Sequence, residues 1–196
     1  MTESSAKKVF IDPGHGGDDN GAAWGEKWDY LEEDDLSLGI SFLLRYELQL
    51  AGFDVALSRE RDEAVSLRSR AMQANLWNAE AFVSVHADAW HNKTASGIST
   101  HIHPKCGENA LILAEYVQGE LTRRFWKHIN RSIRKSDFQV LRETRMPAIL
   151  VECEFISNPD TRRFLKEPEN QLDLAACIAQ GVKAYFGLER FKEERR

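Results

Sequence analysis

No stretch of this chain approaches the roughly 20 apolar residues that a membrane span requires, so no transmembrane helix is expected. Its three cysteines, Cys106, Cys153 and Cys177, form neither a CxxC pair nor an even framework. That excludes a disulfide scaffold and leaves reduced, mostly buried thiols as the expectation. Internal repeats and low-complexity linkers are missing as well, and 196 residues suit one domain with a core that needs no staple. An excess of positive charge is also lacking. The net charge of −5 argues against a nucleic-acid partner, because phosphate binding wants a basic face. The basic runs at 131–135 and in the KEERR tail are short and read as solvated surface. The opening MTESSAK is polar and leaves no room for the apolar core of a signal peptide. The expectation is a chain made in the cytoplasm and released on lysis, or one from which a leader has been removed. Residues 1–7 are expected to be disordered, 8–187 to fold, and 188–196 to form a charged tail.

What is present is a globular composition, 42% hydrophobic and 29% charged, which excludes a wholly disordered chain. Three apolar runs each end on a residue able to bind metal or move a proton: VFIDPGH delivers His15, AFVSVH delivers His86, and AILVE delivers Glu152. Such runs read as buried strands, and in open α/β sheets the working residues gather beyond the strand carboxyl ends. Two histidines and a carboxylate meeting there from distant positions suggest a catalytic metal site, not the closely spaced ligands of a zinc finger. Strands are expected near 8–12, 53–58, 80–86, 97–103, 138–142 and 148–153, and helices over 34–51, 65–78, 108–128 and 170–186. Pro13, Pro104, Pro147 and Pro159 fall at element ends, and Gly52 and Gly187 where helices should stop. The alternation favours an α/β sandwich.

The strings VFIDPGHGGDDNGA, EEDDLSL, SLRSRAMQAN, FVSVHADA, GISTHIH and PAILVECEFISNP, in that order over residues 8–187, resemble the zinc-dependent N-acetylmuramoyl-L-alanine amidases of the amidase-3 type. The resemblance implies a twisted, mostly parallel six-stranded sheet flanked by helices on both faces. It also implies one zinc ion per chain, with His15, Glu33 and His86 as ligands and Glu152 as the catalytic carboxylate. Three protein ligands leave a fourth position for water, whose pKa falls toward roughly 7, and one carboxylate beside that position can carry a proton from water to the leaving amine. The implied substrate is peptidoglycan, cut between N-acetylmuramic acid and L-alanine of the stem peptide, by a phage endolysin or a bacterial autolysin working as a monomer. The rival readings are another zinc peptidase or deacylase sharing the site, and a non-catalytic wall-binding module that kept the fold.

Helix geometry separates Glu32 from Glu33 without using the resemblance. Leu36, Ile40, Leu43, Leu44, Leu48, Leu50 and Ala51 form one apolar face, with Glu47 interrupting it. Extending the spiral back places Glu33 roughly 25° from the centre of that face and Glu32 roughly 75° away, so Glu33 should look inward. Glu154 departs from the small residue that this family usually carries after Glu152-Cys153. Either it shares the face of Glu152 and perturbs it, or the chain turns at Cys153 and Glu154 faces solvent or an arginine. Glu152 itself could instead be an ion-pair partner of Arg142 or Arg145. Trp24, Trp28 and Trp90 could line a groove for sugar or peptide, Trp77 and Trp126 read as core or surface, and His101 and His103 as structural or solvated.

Overall fold

The computed structural model describes residues 6–187, so the segment 1–5 and the tail 188–196 lie outside the described residues. The elements in order are β1 (Lys8–Pro13), β2 (Ala23–Trp24), β3 (Leu31–Glu32), α1 (Glu33–Leu50), β4 (Asp54–Leu57), α2 (Leu67–Leu76), β5 (Ala81–Asp88) and β6 (Ile98–Ile102). They continue through α3 (Glu108–Arg124), β7 (Asn130–Lys135), α4 (Gln139–Glu143), β8 (Ala148–Phe155), α5 (Pro159–Lys166) and α6 (Pro168–Tyr185). Six strands form one sheet in the order β4-β1-β5-β8-β6-β7, and β2 pairs with β3 separately. All neighbours in the large sheet run parallel except β6 against β8. The mostly parallel six-stranded α/β sheet is thus the architecture, and no described helix is long and apolar enough to cross a membrane.

Alternation along the central strands builds two cores. Val83, Val85, Ile149 and Val151 face one way, into a large core with Leu36, Ile40, Leu44 and Leu48 of α1, Leu113 and Val117 of α3, and Ile178 and Val182 of α6. Phe82, Phe10, Ala148 and Leu150 face the other way and meet Ala74 of α2 with Val140 and Leu141 of α4. Each fully buried Leu, Ile, Val or Phe contributes about 1.5–3 kcal/mol relative to exposure, so the helices are held on both faces mainly by these contacts. Leu50, assigned to the apolar face of α1, instead lies 68% exposed, because two residues at 3.6 per turn place it roughly 160° around the helix from the buried Leu48.

Three elements differ from the sequence-based expectation. Where a strand is expected over 138–142, Gln139–Glu143 form helix α4: Val140 and Leu141 are adjacent and both buried, which a strand with one covered face cannot arrange. The sixth strand is β7, the basic run read as solvated surface. It is an edge strand whose outward charges discourage pairing with another chain. No helix is expected before 170 in this region, yet Pro159–Lys166 form α5, capped by the Asn158 side chain accepting from Asp160 N at 2.9 Å, with proline in the first turn.

Helices α3 and α6 pack closely where Gly181 faces Val117: a β-carbon at 181 would stand 2.5 Å from Val117 Cα. Gly181→Ala gains helix propensity of about 1 kcal/mol but must push two backbones apart, an overpacking cost of about 1–3 kcal/mol. We expect its urea unfolding midpoint to fall; a midpoint at or above that of the wild type would contradict the contact.

Candidate metal centre

The parallel strands β1, β5 and β8 end at one sheet edge. Beyond β1 the chain turns at His15, which adopts a left-handed φ of 59°, a conformation that non-glycine residues adopt seldom. His86 lies near the end of β5, and the N-terminus of α1 brings Glu33 to the same edge. The Glu33 Oε1 atom lies 3.1 Å from His15 Nε2 and 2.8 Å from His86 Nδ1. One potential ligand atom from each of these residues lies within 4.8 Å of the other two. The imidazoles stand nearly edge to face, with ring centres 5.0 Å apart.

Backbone groups hold the carboxylate in place: Ala22 N donates to Glu33 Oε2 at 2.9 Å and Ala87 N to Oε1 at 3.2 Å. Glu32, next in sequence, points away and accepts from Asn20 Nδ2 and Tyr30 OH. The helix-face reading of Glu33 is therefore matched by the geometry. His15 Nδ1 lies 2.9 Å from Asp19 Oδ2, and a proton donated there leaves the Nε2 lone pair on the side of Glu33 and His86. Gly14 is required by close approach, because a β-carbon there would come within 2.3 Å of the His86 ring.

Charge at this edge is unbalanced toward the negative. Burial opposes ionisation of Glu33, but hydrogen bonds from His15 and His86 outweigh it and hold the carboxyl well below the usual range. Burial likewise opposes charge on His15, yet Glu33 and Asp19 raise its pKa to about 9. Glu152 lies in register with His86 on the neighbouring strand. Its Oε2 is sealed from solvent with no hydrogen-bond partner among the described residues, and burial first, then the charges of Glu33 and Asp88, push its pKa well above normal. Two imidazole nitrogens and a carboxylate oxygen form a donor set that suits zinc better than magnesium, which prefers oxygen. A cavity of about 590 Å³ opens onto His15 and His86, walled in part by Ala64, Val65 and Leu67.

The sequence model of the Amidase_3 family, N-acetylmuramoyl-L-alanine amidase, matches residues 9–184. The chain belongs to this family. A "probable cell wall amidase LytH" of Staphylococcus aureus is 32% identical over 180 residues, which are 92% of this chain and 58% of that protein. The chain therefore spans somewhat over half the length of these curated relatives. An N-acetylmuramoyl-L-alanine amidase from Clostridium difficile 630 superposes with a TM-score of 0.88 at 39% identity, covering 94% of this chain and 98% of that one. The amidase AmiC2 of Nostoc punctiforme superposes at 0.85 with 34% identity, covering 92% and 97%.

In this amidase-family chain, Glu154 fits neither expectation. The strand continues through it, but a register shift after His86 and a φ of 150° at Glu154 turn the side chain into the protein. There it accepts from Gly97 N at 2.6 Å and pairs with His128 Nδ1 at 2.8 Å, away from the metal cluster and from solvent. Arg142 pairs with Asp137, so the ion-pair reading of Glu152 with Arg142 has no support in the structure. Trp24 and Trp28 line a separate cavity of about 530 Å³ with Lys93, whereas Trp90 is not among its walls. Trp77 sits edge-on to Phe10, and Trp126 is exposed. His101 is buried and bonded to Ser136 and Ser99, and His103 to Asp137, in keeping with structural roles. The sequence reading missed Asp19, whose signal is its position four residues after His15.

The state of Glu152 has a measurable consequence for stability. Its folded pKa lies above the unfolded value, so the folded chain binds the extra proton and loses stability as pH rises from about 4.5 through the folded pKa. In metal-free protein, Glu152→Gln should match the wild type near pH 4 and melt at a higher temperature at pH 8. Equal melting temperatures at pH 8 would show that the carboxyl ionises freely.

Proposed function

We propose that the chain hydrolyses the amide bond between N-acetylmuramic acid and L-alanine of peptidoglycan stem peptides, as a zinc enzyme whose catalytic domain covers 8–187. The observation that carries this reading is the His15–Glu33–His86 cluster with Glu152 in register beside it, one of whose carboxylate oxygens is buried without a hydrogen-bond partner among the described residues. His15, Glu33 and His86 are the proposed ligands, and all come from one chain, so a monomer suffices. Lysin and autolysin are two settings of this one hydrolysis.

Zinc, when bound there, supplies Lewis acidity that lowers the pKa of water toward roughly 7 and polarises a carbonyl. Glu152 accepts the proton of the attacking water as the new carbon–oxygen bond forms at the lactyl carbonyl. It then passes that proton to the nitrogen of L-alanine as the carbon–nitrogen bond breaks, leaving a lactyl carboxylic acid, which keeps the second proton of the water until it ionises, and a free amine. A raised pKa suits both halves, because a carboxyl that is a stronger base than usual takes the proton from water more readily and holds it until the amine leaves. Asp19 holds the His15 ring in place.

Incubation with purified peptidoglycan, followed by mass spectrometry of the fragments, should show stem peptides with free L-alanine amino termini and intact lactyl sugars. New termini elsewhere in the peptide would favour a different peptidase, loss of N-acetyl groups a deacylase, and no cleavage a binding module. Glu152→Gln should lower the cleavage rate on the order of 10²-fold or more while retaining zinc. Glu33→Ala should lose zinc and activity together, and Glu32→Ala should keep both; the reverse pattern would sink the assignment.

A further inference from the structure

Two arginines lie buried beneath the site, Arg59 at 2% exposure and Arg70 at 3%. Arg59 follows β4, and its donors go to backbone carbonyls and one hydroxyl. Its Nε donates to Pro13 O at 3.2 Å, and its Nη2 donates to Gly14 O at 2.7 Å, Asp34 O at 2.7 Å and Ser37 Oγ at 3.2 Å. Gly14 precedes His15 and Asp34 follows Glu33, so a single nitrogen ties together the backbones that carry two of the three candidate ligands. Arg70, from α2, donates Nη2 to His15 O at 2.5 Å and Nη1 to both Pro13 O and Asp12 Oδ1. The other oxygen of Asp12 accepts from Ser84 Oγ at 2.8 Å, two residues before His86 on β5. Every element that bears a candidate ligand is thus reached by this network.

Burying two neighbouring guanidinium groups is costly, and apolar side chains of similar volume would hold a core at least as well. Their repeated use on the carbonyls around His15 and Glu33 has a more specific effect. The chain leaves β1 through a left-handed turn at His15, and the carbonyls of Pro13, Gly14 and His15 are each met by a planar guanidinium fork, which satisfies them in one arrangement.

We infer that Arg59 and Arg70 are positioning residues of the metal centre, which fix the separation of His15 and Glu33 before the ion binds. This rests on the assignment of His15, Glu33 and His86 as ligands. A lysine at either position keeps the charge but lacks the planar fork: at 59 it loses the Nε contact to Pro13 O that orients Nη2 between Gly14 O and Asp34 O, and at 70 its one nitrogen replaces the two that hold Pro13 O and His15 O.

The test is zinc affinity of the metal-free full chain, measured by competition with a chromophoric chelator, for Arg59→Lys, Arg70→Lys and Leu121→Ala. Leu121 lies in the α3 core, so its truncation lowers stability without touching the network. Arg59→Lys and Arg70→Lys, each with wild-type circular dichroism, should bind zinc 10–100-fold more weakly, whereas Leu121→Ala should bind as the wild type does. Folded lysine variants within two-fold of wild-type affinity would overturn the inference, as would an equal loss in Leu121→Ala. If the lysine variants do not fold, Ser37→Ala decides. Its hydroxyl donates to Gly14 O and Asp34 O, and its loss should weaken zinc binding at least three-fold, unchanged affinity overturning the inference. Failure of the wild type to bind zinc would instead refute the ligand assignment itself.

Discussion

A carboxylate drawn out of water between two imidazoles is the constraint around which this molecule is arranged. Glu33 is buried, and a buried charge without a counter-charge is not tolerated. Its neighbours therefore have to supply positive charge, as a proton on His15 or as a cation held by all three. Much of the surrounding architecture serves that requirement. The first turn of α1 faces the sheet edge, Ala22 and Ala87 lend backbone donors, and Gly14 leaves out a β-carbon so that His86 can come close.

The second carboxylate, Glu152, sits in register with His86 under the opposite influence, its ionisation opposed by burial and by the charges of Glu33 and Asp88. Environments that push the pKa values of two nearby carboxyls apart give them different roles, one anchoring positive charge and the other carrying a proton. The sheet enforces the difference, since register sets the spacing between β5 and β8 while the α1 terminus enters from outside the ladder.

The strand ends and their cargo were legible in the sequence because they rest on the most robust signals: long apolar runs, glycines and prolines at turns, and the helical period that turned Glu33 inward and Glu32 outward. Failures came where those signals weaken. Ile133 is the one apolar residue of β7, so an edge strand with charged faces looked like surface, and the β-favouring residues of 138–142 disguised a single helical turn. The start of α5 was signalled by Asn158-Pro159 and overlooked. Glu154 could not have been placed, because its direction depends on a bulge in β8 and on His128 from a turn beyond α3. The arginine network was likewise illegible, since carbonyl acceptors leave no mark in the amino-acid code.

The central claim, that His15, Glu33 and His86 form a single zinc site, is tested most directly by X-ray absorption at the zinc edge on protein loaded by dialysis. The account predicts one zinc per chain with nitrogen and oxygen neighbours only, at about 2.0–2.2 Å, and with the multiple-scattering signature of two imidazoles. A sulfur neighbour, or a spectrum unchanged in Glu33→Ala, would contradict it.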